Sequence, residues 1–382
     1  MAERGRPRLL IVTRNLPPMV GGMERLNWHM AEELAKAADV RIVGPVGSAV
    51  LAPDGIAVRE APLKPLWKFL LVAAHRARRE AMEWKPDIVL AGSGLTAPLV
   101  LRAARACGAR AAVYAHGLDV AVKHPVYRAL WLPAIRRMHR VIANSRATAK
   151  LCRGIGVDAA RVGIVHPGVE LPQILSDAST IAQFRTRHGL GDRRLLLSVG
   201  RLSARKGLSE FVMHALPRIV AAHPGIMLLI VGDTPKHALH ARAQSPESIR
   251  TVATQVGVAD NLRFLGEIPD HELNSAYRAA SVHVFPVRPL PGDPEGFGMV
   301  AVEAAAHGLP TVAFASGGVE DAVAQGQSGY LVQPGDYAAF AQRVIELLES
   351  ENAMTMGSNS RTFAQAFTWE RFGKDVLRLL LP

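Results

Sequence analysis

The chain has 382 residues, 49% of them hydrophobic and 20% charged, which suffices for two ordinary domains with separate cores. No apolar run reaches the roughly 18 residues that span a bilayer, and two cysteines, Cys107 and Cys152, exclude a disulfide framework or thiolate metal site. The net charge of +12 is uneven: residues 1–167 carry 26 Lys and Arg against 12 Asp and Glu, whereas residues 168–382 carry 19 against 21. The basic half would attract nucleic acid or an anionic membrane surface.

Short apolar segments alternate with helical stretches along the chain, which predicts parallel sheets with crossover helices. A second series begins at Leu195, so we predict domains over residues 1–170 and 190–363, with a linker over residues 171–189. The predicted strands are Leu9–Thr13, Val40–Val43, Ile88–Ala91, Ala111–Ala115, Val141–Ala143, Gly163–Val165, Leu195–Val199, Met227–Val231, Leu262–Leu265, Val282–Phe285, Thr311–Ala313 and Gly329–Val332.

The first strand leads into a pair of glycines, Gly21 and Gly22, before a helix predicted over Met23–Ala37. Glycines at a helix start let backbone amides approach phosphate oxygens, although a Gly-Gly turn after a strand is more often purely structural. Further along, His116 follows the strand Ala111–Ala115. A histidine at the carboxyl end of a strand can bind a sugar hydroxyl or a phosphate, or pack in the core.

Two basic helices are predicted in the first domain, over Leu66–Arg79 and Tyr127–Arg140. The first mixes Trp, Phe and Leu with clustered Arg, which is typical of a helix at an anionic bilayer surface. A solvated basic face above a core-facing stripe explains either helix equally well.

The strand Leu195–Val199 ends in a turn that contains Arg201 and Lys206. Two cations past the end of a strand suit a diphosphate leaving group, whose charge grows as its bond breaks. Arg205, between them, has no separate predicted role. Glu267 and Ile268 follow another strand, and they either border a nucleotide base or form an ordinary strand exit.

The segment from Glu295 to Pro310 reads as a loop, a helix over Met299–Ala306 and a stop. Glu303 then lies about one turn inside an apolar helix, where a carboxylate needs a polar partner. A helix start also attracts anions. Together these features predict a site for a polyhydroxylated, phosphorylated ligand. The 14 histidines are scattered, and no metal-ligand spacing, Walker loop or hydrolase elbow occurs.

These motifs together resemble the family 4 glycosyltransferases, retaining enzymes with the two-domain GT-B fold. The resemblance covers essentially the whole chain and implies an α/β protein of two doubly wound, Rossmann-like domains facing each other across a cleft. The matching motifs are Pro17-Pro-x-x-Gly-Gly22, His116-Gly117, Asn144-Ser145, His166-Pro-Gly168, Gly200-Arg-x4-Lys-Gly207 and Glu295-Gly-Phe-Gly-x4-Glu303.

The resemblance also implies a role for each matching residue. Arg201 and Lys206 would bind the diphosphate of a nucleotide-sugar donor. Glu295 would contact hydroxyls of the transferred sugar, and Glu303 would hold the nucleotide ribose. Further donor contacts would come from His116 to the sugar, from Gly21 or Gly22 to the phosphates, and from the amides of Gly296, Phe297, Gly298 and Met299.

Two further segments resemble parts of the family. Pro289–Pro294 resembles a loop of bacterial mannosyltransferases that use GDP-mannose, which favours that donor over a UDP-sugar. Phe367–Leu380 resembles the family's C-terminal helix, so residues 364–382 are expected to cross back to the first domain.

We therefore expect a hexosyltransferase that moves mannose or another hexose to a lipid-linked or polysaccharide acceptor in cell-envelope glycan synthesis, such as that of lipopolysaccharide. It would need no cofactor and no metal, and it would bind no nucleic acid. The basic first domain would hold it peripherally on the cytoplasmic face of the membrane. The alternatives are a glycogen-synthase-like or other sugar-nucleotide enzyme on the same fold, and a non-catalytic module that binds an anionic ligand.

Overall fold

The structure is a computed structural model that describes residues 5–172, 178–234, 243–350 and 353–381. The chain divides into two compact units: Met1–Gly168 together with Phe367–Pro382 forms the first, and Val169–Ala366 forms the second. Each unit is built on one parallel sheet whose strands are connected through helices. Each therefore has the doubly wound α/β architecture expected from the alternating sequence pattern.

The sheet of the first unit is parallel throughout the described residues. Its strands are β1 (Arg8–Val12), β2 (Asp39–Pro45), β3 (Ala57–Ala61), β4 (Ile88–Ala91), β5 (Arg110–Ala115), β6 (Arg140–Ala143) and β7 (Val162–Ile164). The spatial order is β3-β2-β1-β4-β5-β6-β7. The order reverses between β1 and β4, and ligands of doubly wound sheets bind beyond the carboxyl ends of the strands at such a point.

The sheet of the second unit repeats this plan. Its strands are β8 (Leu195–Val199), β9 (Met227–Val231), β10 (Leu262–Gly266), β11 (Val282–Phe285), β12 (Thr311–Phe314) and β13 (Gly329–Val332). The spatial order is β10-β9-β8-β11-β12-β13, and every pair is parallel. Because β8 and β11 are neighbours at the reversal, the loops that follow them emerge side by side.

Helices of the first unit pack through small residues. Those that connect its strands are α1 (Gly22–Ala35), α2 (Leu66–Trp84), α3 (Ala97–Cys107), α4 (Leu118–Ala121), α5 (Pro125–Arg136) and α6 (Arg146–Gly154). Ala73, Ala77 and Ala81 recur every four residues on one face of α2 and are fully buried in the first core. This spacing gives α2 a flat apolar stripe and leaves its other faces to solvent.

Helices of the second unit surround an aromatic core. They are α7 (Ala178–Arg187), α8 (Leu208–His214), α9 (Leu216–Ala222), α10 (Pro246–Gln255), α11 (Asp270–Ala279), α12 (Met299–Ala306), α13 (Val319–Ala322), α14 (Tyr337–Glu349) and α15 (Ala353–Ala364). The ring of Phe340 lies 5.4 Å from Phe211 and 5.0 Å from Phe314, centre to centre. These edge-on contacts join α8, β12 and α14.

The last helix, α16 (Trp369–Leu380), belongs to the first unit. Thr368 caps it by accepting a hydrogen bond from the backbone N–H of Arg371. Its apolar face is buried, and the Trp369 ring stacks on His29 of α1 at 4.2 Å. Arg140 Nε also donates to the carbonyl of Leu379, at 3.0 Å.

The structure differs from the sequence predictions in three elements. Strand β3 was not predicted, because it is an edge strand of alternating exposure and lacks a continuous apolar run. The predicted linker over residues 171–189 contains α7, whose Phe184 is buried in the second unit; residues 173–177 lie outside the described residues. The second basic helix ends at Arg136, since Arg140 already belongs to β6.

Candidate functional site

The turn after β8 carries cations predicted for the diphosphate site. Residues Ala204–Lys206 form one 3-10 turn that ends at Gly207. Gly207 has a φ of 69°, and a Cβ atom there would lie 2.1 Å from the carbonyl oxygen of Pro286. The backbone N–H of Arg288 also donates to the carbonyl of Arg205, at 2.8 Å. The turn is therefore fixed against the segment that follows β11.

That segment brings two carboxylates to the turn. Glu295 Oε2 accepts hydrogen bonds from Lys206 Nζ at 2.8 Å and from Arg205 Nη1 at 2.5 Å. Arg205 Nε lies 3.2 Å from Asp293 Oδ1, so one guanidinium bridges both acids. The side chains of Glu295, Arg205 and Lys206 are 11%, 13% and 17% exposed. At this burial, solvent and salt screen the charges less than at an open surface.

Burial and charge act in opposite directions on Glu295. Burial disfavours the ionised carboxylate, but the charges of Arg205 and Lys206 outweigh it and lower the pKa of Glu295 to about 2. Burial lowers the pKa of Lys206, and the charge of Glu295 offsets only part of that effect. Glu295 is therefore ionised at neutral pH and can only accept hydrogen bonds.

The ion pairs leave hydrogen-bonding capacity for a ligand. Both cations contact Oε2 of Glu295, and no donor within the described ranges bonds to Oε1. Lys206 has three N–H donors, one of which bonds Glu295, and its Nζ lies 4.7 Å from the centre of the Phe285 ring. A hydroxyl can thus bind at Oε1 while an anion binds at Nζ.

A glycine turn after β12 fixes the backbone around Glu295. Gly318 donates its N–H to the carbonyl of Glu295 at 2.9 Å. A Cβ atom on Gly318 would lie 2.0 Å from the carbonyl oxygen of Gly296, and one on Gly317 would lie 2.6 Å from that of Glu295. The close approach at these glycines is therefore to protein backbone.

Helix α12 begins immediately after the loop that contains Glu295. Gly298 caps it with a φ of 98°, and a Cβ atom there would lie 2.8 Å from the Phe285 ring. Phe297 is buried and Met299 is half-buried. The start of the helix, with its partial positive charge, thus lies next to the Glu295 loop.

Glu303 has the polar partner that its burial requires. The hydroxyl of Tyr277, on α11, donates to Glu303 Oε2 at 3.0 Å, and Glu303 is 8% exposed. The Tyr277 ring stacks on His307 at 5.0 Å, and His307 Nδ1 lies 2.9 Å from the Glu303 carbonyl oxygen. Burial lowers the pKa of His307 to about 4, so this ring is neutral at physiological pH.

Three other predicted residues of the second unit have less defined surroundings. The side chain of Arg201 is exposed and forms no ion pair with any residue that the structure describes, although its charge acts on Glu295 and Lys206. Glu267 is exposed after β10, and Ile268 packs against the core of this unit. Their predicted roles stay predictions.

His116 is held at the carboxyl end of β5 in the first unit. It is 8% exposed, and its Nε2 lies 2.9 Å from the carbonyl oxygen of Gly92. Since a carbonyl only accepts, Nε2 carries a proton, and Nδ1 is an acceptor when this is the only proton on the ring. The backbone N–H of His116 donates to Asp119 Oδ2 at 3.0 Å. His116 can therefore accept a hydroxyl proton in a hydrogen bond.

Gly21 and Gly22 lie at the start of α1, next to an acid. A Cβ atom on Gly21 would lie 2.4 Å from Glu24 Oε2, and Glu24 is buried and accepts from Asn15 Nδ2 at 2.7 Å. A carboxylate at the start of a helix competes with phosphate for that position. The predicted phosphate contact of the two glycines stays a prediction, and a phosphate there would have to accommodate Glu24.

The structure thus brings together Lys206, Glu295 and two residues to which the sequence assigned no role, Arg205 and Asp293. Arg205 is next to Lys206 and Asp293 is two residues before Glu295, so their proximity in sequence was the available signal. Tyr277 gave no such signal. Within the described ranges, no group of three or more His, Cys, Asp or Glu side chains could hold a metal ion.

Models of two protein families match the chain. The model of glycosyl transferases group 1 matches residues 181–363, and that of glycosyltransferase family 4 matches residues 20–173. The range matched by the first model contains the cation turn and the Glu295 loop. The range matched by the second contains the first unit from α1 to β7.

The chain is also similar to named proteins over most of its length. It is 30% identical over 393 residues to the GDP-mannose-dependent alpha-(1-6)-phosphatidylinositol monomannoside mannosyltransferase of Mycolicibacterium smegmatis. The match covers 97% of this chain and 98% of that protein. It is 36% identical over 241 residues to a D-inositol 3-phosphate glycosyltransferase of Geodermatophilus obscurus, covering 61% of this chain and 50% of that protein.

Solved structures share the fold. Anabaena HepE in complex with UDP has a TM-score of 0.80 at 20% identity, over 97% of this chain and 98% of HepE. This likeness, with the two parallel sheets, confirms the predicted GT-B class of two Rossmann-like domains. The sequence of the mannosyltransferase relative matches this chain over nearly its whole length. The chain therefore belongs to the family 4 glycosyltransferases and is a glycosyltransferase.

Proposed function

We propose that this enzyme transfers mannose from GDP-mannose to a lipid-linked or polysaccharide acceptor of the cell envelope, with retention of anomeric configuration. The observation that carries the proposal is the Lys206–Glu295 pair, where a cation for phosphate adjoins a carboxylate for hydroxyls. The name of the M. smegmatis relative supports GDP-mannose and a phosphatidylinositol-linked acceptor. The UDP bound in the HepE structure makes a UDP-sugar the alternative donor.

The residues of the second unit divide the work of binding the donor. Lys206 and Arg201 stabilise the departing diphosphate, whose negative charge increases as the bond from the anomeric carbon to the phosphate oxygen breaks. Glu295 accepts hydrogen bonds from hydroxyls of the sugar at Oε1, and Glu303 accepts hydrogen bonds from the ribose hydroxyls. These cations supply charge stabilisation that a divalent metal supplies in other enzymes, so we propose that no metal is required.

Retention follows if the acceptor attacks from the side of the leaving group. The acceptor oxygen then bonds to the anomeric carbon, the electron pair of the broken bond goes to the diphosphate, and a phosphate oxygen takes the acceptor's proton. His116, as an acceptor at Nδ1, would orient a hydroxyl of the sugar.

A donor panel tests the proposal. The purified enzyme is incubated with radiolabelled GDP-mannose, UDP-glucose and UDP-galactose, each with and without a membrane lipid extract and with and without EDTA. We expect transfer from GDP-mannose to lipid, undiminished by EDTA. Transfer from a UDP-sugar alone would replace the donor, and growth of a soluble polymer without lipid would favour the glycogen-synthase-like alternative.

We also propose that the first unit rests on the inner face of the membrane. On α2, Trp67 is 63% exposed and Leu71 is 65% exposed one turn later, with exposed Arg76, Arg78 and Arg79 beyond them. A helix with exposed apolar residues and arginines is suited to an anionic bilayer surface. In the described part of the chain, no helix is both long and apolar enough to cross a membrane.

Sedimentation with vesicles tests this surface. We expect the enzyme to bind vesicles containing phosphatidylglycerol and to bind pure phosphatidylcholine weakly. Replacing Trp67 and Leu71 by Ser should reduce binding, whereas Met354→Ser, at an 87% exposed position of the second unit, should not. Equal binding of all three proteins would contradict the proposed membrane surface.

A further inference from the structure

We propose that Arg205 is a positioning residue for Glu295, holding this carboxylate in place so that Lys206 can bind the donor diphosphate. The inference rests on the proposed roles of Glu295 and Lys206, and it gives a function to an arginine that binds no ligand itself. It follows from how the two cations share one acid.

Arg205 and Lys206 contact the same oxygen of Glu295. Their nitrogens lie 2.5 Å and 2.8 Å from Oε2. A diphosphate carries more negative charge than one carboxylate and forms strong charge-assisted hydrogen bonds with an ammonium group. When donor binds, Lys206 therefore shifts its hydrogen bonds toward phosphate, and Glu295 keeps Arg205 as its remaining cation.

Arg205 is anchored independently of the ligand. Its Nε lies 3.2 Å from Asp293 Oδ1, and its carbonyl accepts from the N–H of Arg288 at 2.8 Å. The Asp293 N–H in turn donates to the Leu290 carbonyl at 3.1 Å. A planar guanidinium can span two carboxylates, which a single ammonium cannot do with the same geometry.

This arrangement keeps Oε1 of Glu295 directed at the sugar. With Oε2 held by Arg205, the carboxylate has one oxygen fixed and one available to a hydroxyl. Without Arg205, donor binding would leave a partly buried anion with no cation in contact, and such a group is costly. The loss should therefore appear in steps that involve the sugar, and bare GDP should bind nearly as before.

A double-mutant cycle tests the proposal, using Arg205→Met, Glu295→Gln and the double variant. We measure kcat and KM for GDP-mannose and the dissociation constant of GDP. Arg205→Met should lower kcat/KM by about 100-fold and change GDP affinity by less than about 3-fold. The double variant should have nearly the same kcat/KM as Glu295→Gln alone. Arg205→Lys should restore only part of the activity.

The acid limb of the dependence of kcat/KM on pH provides a second test. A purely structural role of Arg205 would leave the pH of this limb unchanged. Removing the Arg205 charge raises the pKa of Glu295, so this limb should move to higher pH in Arg205→Met. Arg343→Met is the matched control, because Arg343 pairs with Glu346 at an exposed position of α14, outside the cation turn and the Glu295 loop; it should keep kcat/KM within about 3-fold and leave the limb in place.

Two results would overturn the inference. The first is a double variant whose loss in kcat/KM equals the product of the losses in Arg205→Met and Glu295→Gln, because the two residues would then act independently. The second is a weakening of GDP binding in Arg205→Met as large as its loss in kcat/KM, which would make Arg205 a phosphate ligand. Full activity of Glu295→Gln would instead overturn the proposed function. Thermal unfolding of each variant confirms that the compared proteins are folded.

Discussion

Lys206 is the side chain from which the proposed chemistry can be tested most simply. Its ammonium contacts Glu295, lies over the Phe285 ring and is shielded from water. Little reorganisation is needed to bring this charge to a phosphate oxygen, and preorganised charge is the strongest contribution to catalysis by such sites.

Replacing Lys206 by Ala should lower kcat by about 100-fold to 1,000-fold, because its charge matters most as the donor bond breaks. GDP affinity should fall less than kcat. Steady-state kinetics and calorimetric titration with GDP measure the two quantities. Lys374→Ala, which breaks an exposed ion pair with Glu370 on α16, is the control and should retain full activity. An unchanged kcat in the Lys206 variant would remove this residue from the mechanism.

Glu295 should leave a signature in stability against pH. Its pKa in the folded protein is about 2, below the ordinary 4.5, so its contribution is complete above the ordinary value and is lost as pH falls toward 2. The difference in free energy of unfolding between wild type and Glu295→Gln should be constant from about pH 6 to pH 8 and shrink below about pH 4.5. Chemical denaturation across this range measures it. A difference that grows on acidification would contradict the ion pairs.

The Tyr277 hydroxyl should stabilise both the fold and the nucleotide site through Glu303. Tyr277→Phe removes a buried hydrogen bond to a carboxylate and should cost about 2 kcal/mol in free energy of unfolding, with weaker GDP binding. Tyr330→Phe is the control, because Tyr330 contacts Arg343 through its ring, which the change preserves. Identical stability of the two variants would show that the Tyr277 hydrogen bond contributes nothing.

At the scale of elements, the site depends on three close contacts at glycines, two with backbone and one with an aromatic ring. Gly207 meets Pro286, Gly318 meets Gly296, and Gly298 meets the Phe285 ring. The turns after β8, β11 and β12 thereby hold one another, and the start of α12 is placed beside Glu295.

A comparison of two glycine variants separates backbone strain from crowding at the start of α12. Gly298 and Gly326 both have positive φ, at 98° and 73°, but a Cβ atom meets the Phe285 ring only at Gly298. Gly298→Ala should therefore destabilise the protein by about 1 to 3 kcal/mol more than Gly326→Ala, and raise KM for the donor. Thermal unfolding and initial rates measure both effects. Equal destabilisation would mean that the contact with Phe285 can relax.

The sequence predicts the strands well because parallel strands covered on both faces are continuous apolar runs, as in Met227–Val231. β3 was missed because an edge strand does not need such a run. The need of Glu303 for a partner was predictable, but the partner was not. Tyr277 lies 26 residues away on another helix, and only packing decides which side chains of distant elements meet.

The cation turn shows the same limit at close range. The sequence offered Arg201 and Arg205 beside Lys206; the resemblance to the family assigned Arg201 to the donor diphosphate, which stays a prediction, and assigned Arg205 no role. In the structure Arg201 is exposed, whereas the 3-10 turn directs Arg205 to Glu295 and Asp293. Which arginine meets the acids depends on the turn geometry, which residue spacing does not specify.

At the scale of the molecule, charge and binding chemistry are distributed differently between the two units. The excess of Lys and Arg lies in residues 1–167, whereas the cation turn, Glu295 and Glu303 belong to the second unit. On the proposed roles, a few placed cations of the second unit would bind a small anionic ligand, and the excess positive charge of residues 1–167 would favour an anionic membrane. This division fits an enzyme whose donor is soluble and whose acceptor is lipid-linked.

A crystal structure with GDP-mannose bound would examine every proposed donor contact at once. We expect diphosphate oxygens at Lys206 Nζ and Arg201, a mannose hydroxyl at Glu295 Oε1, and ribose hydroxyls at Glu303, with Arg205 still bridging Glu295 and Asp293. A nucleotide bound away from the turn after β8, with the Lys206–Glu295 pair unchanged, would contradict the proposed donor site.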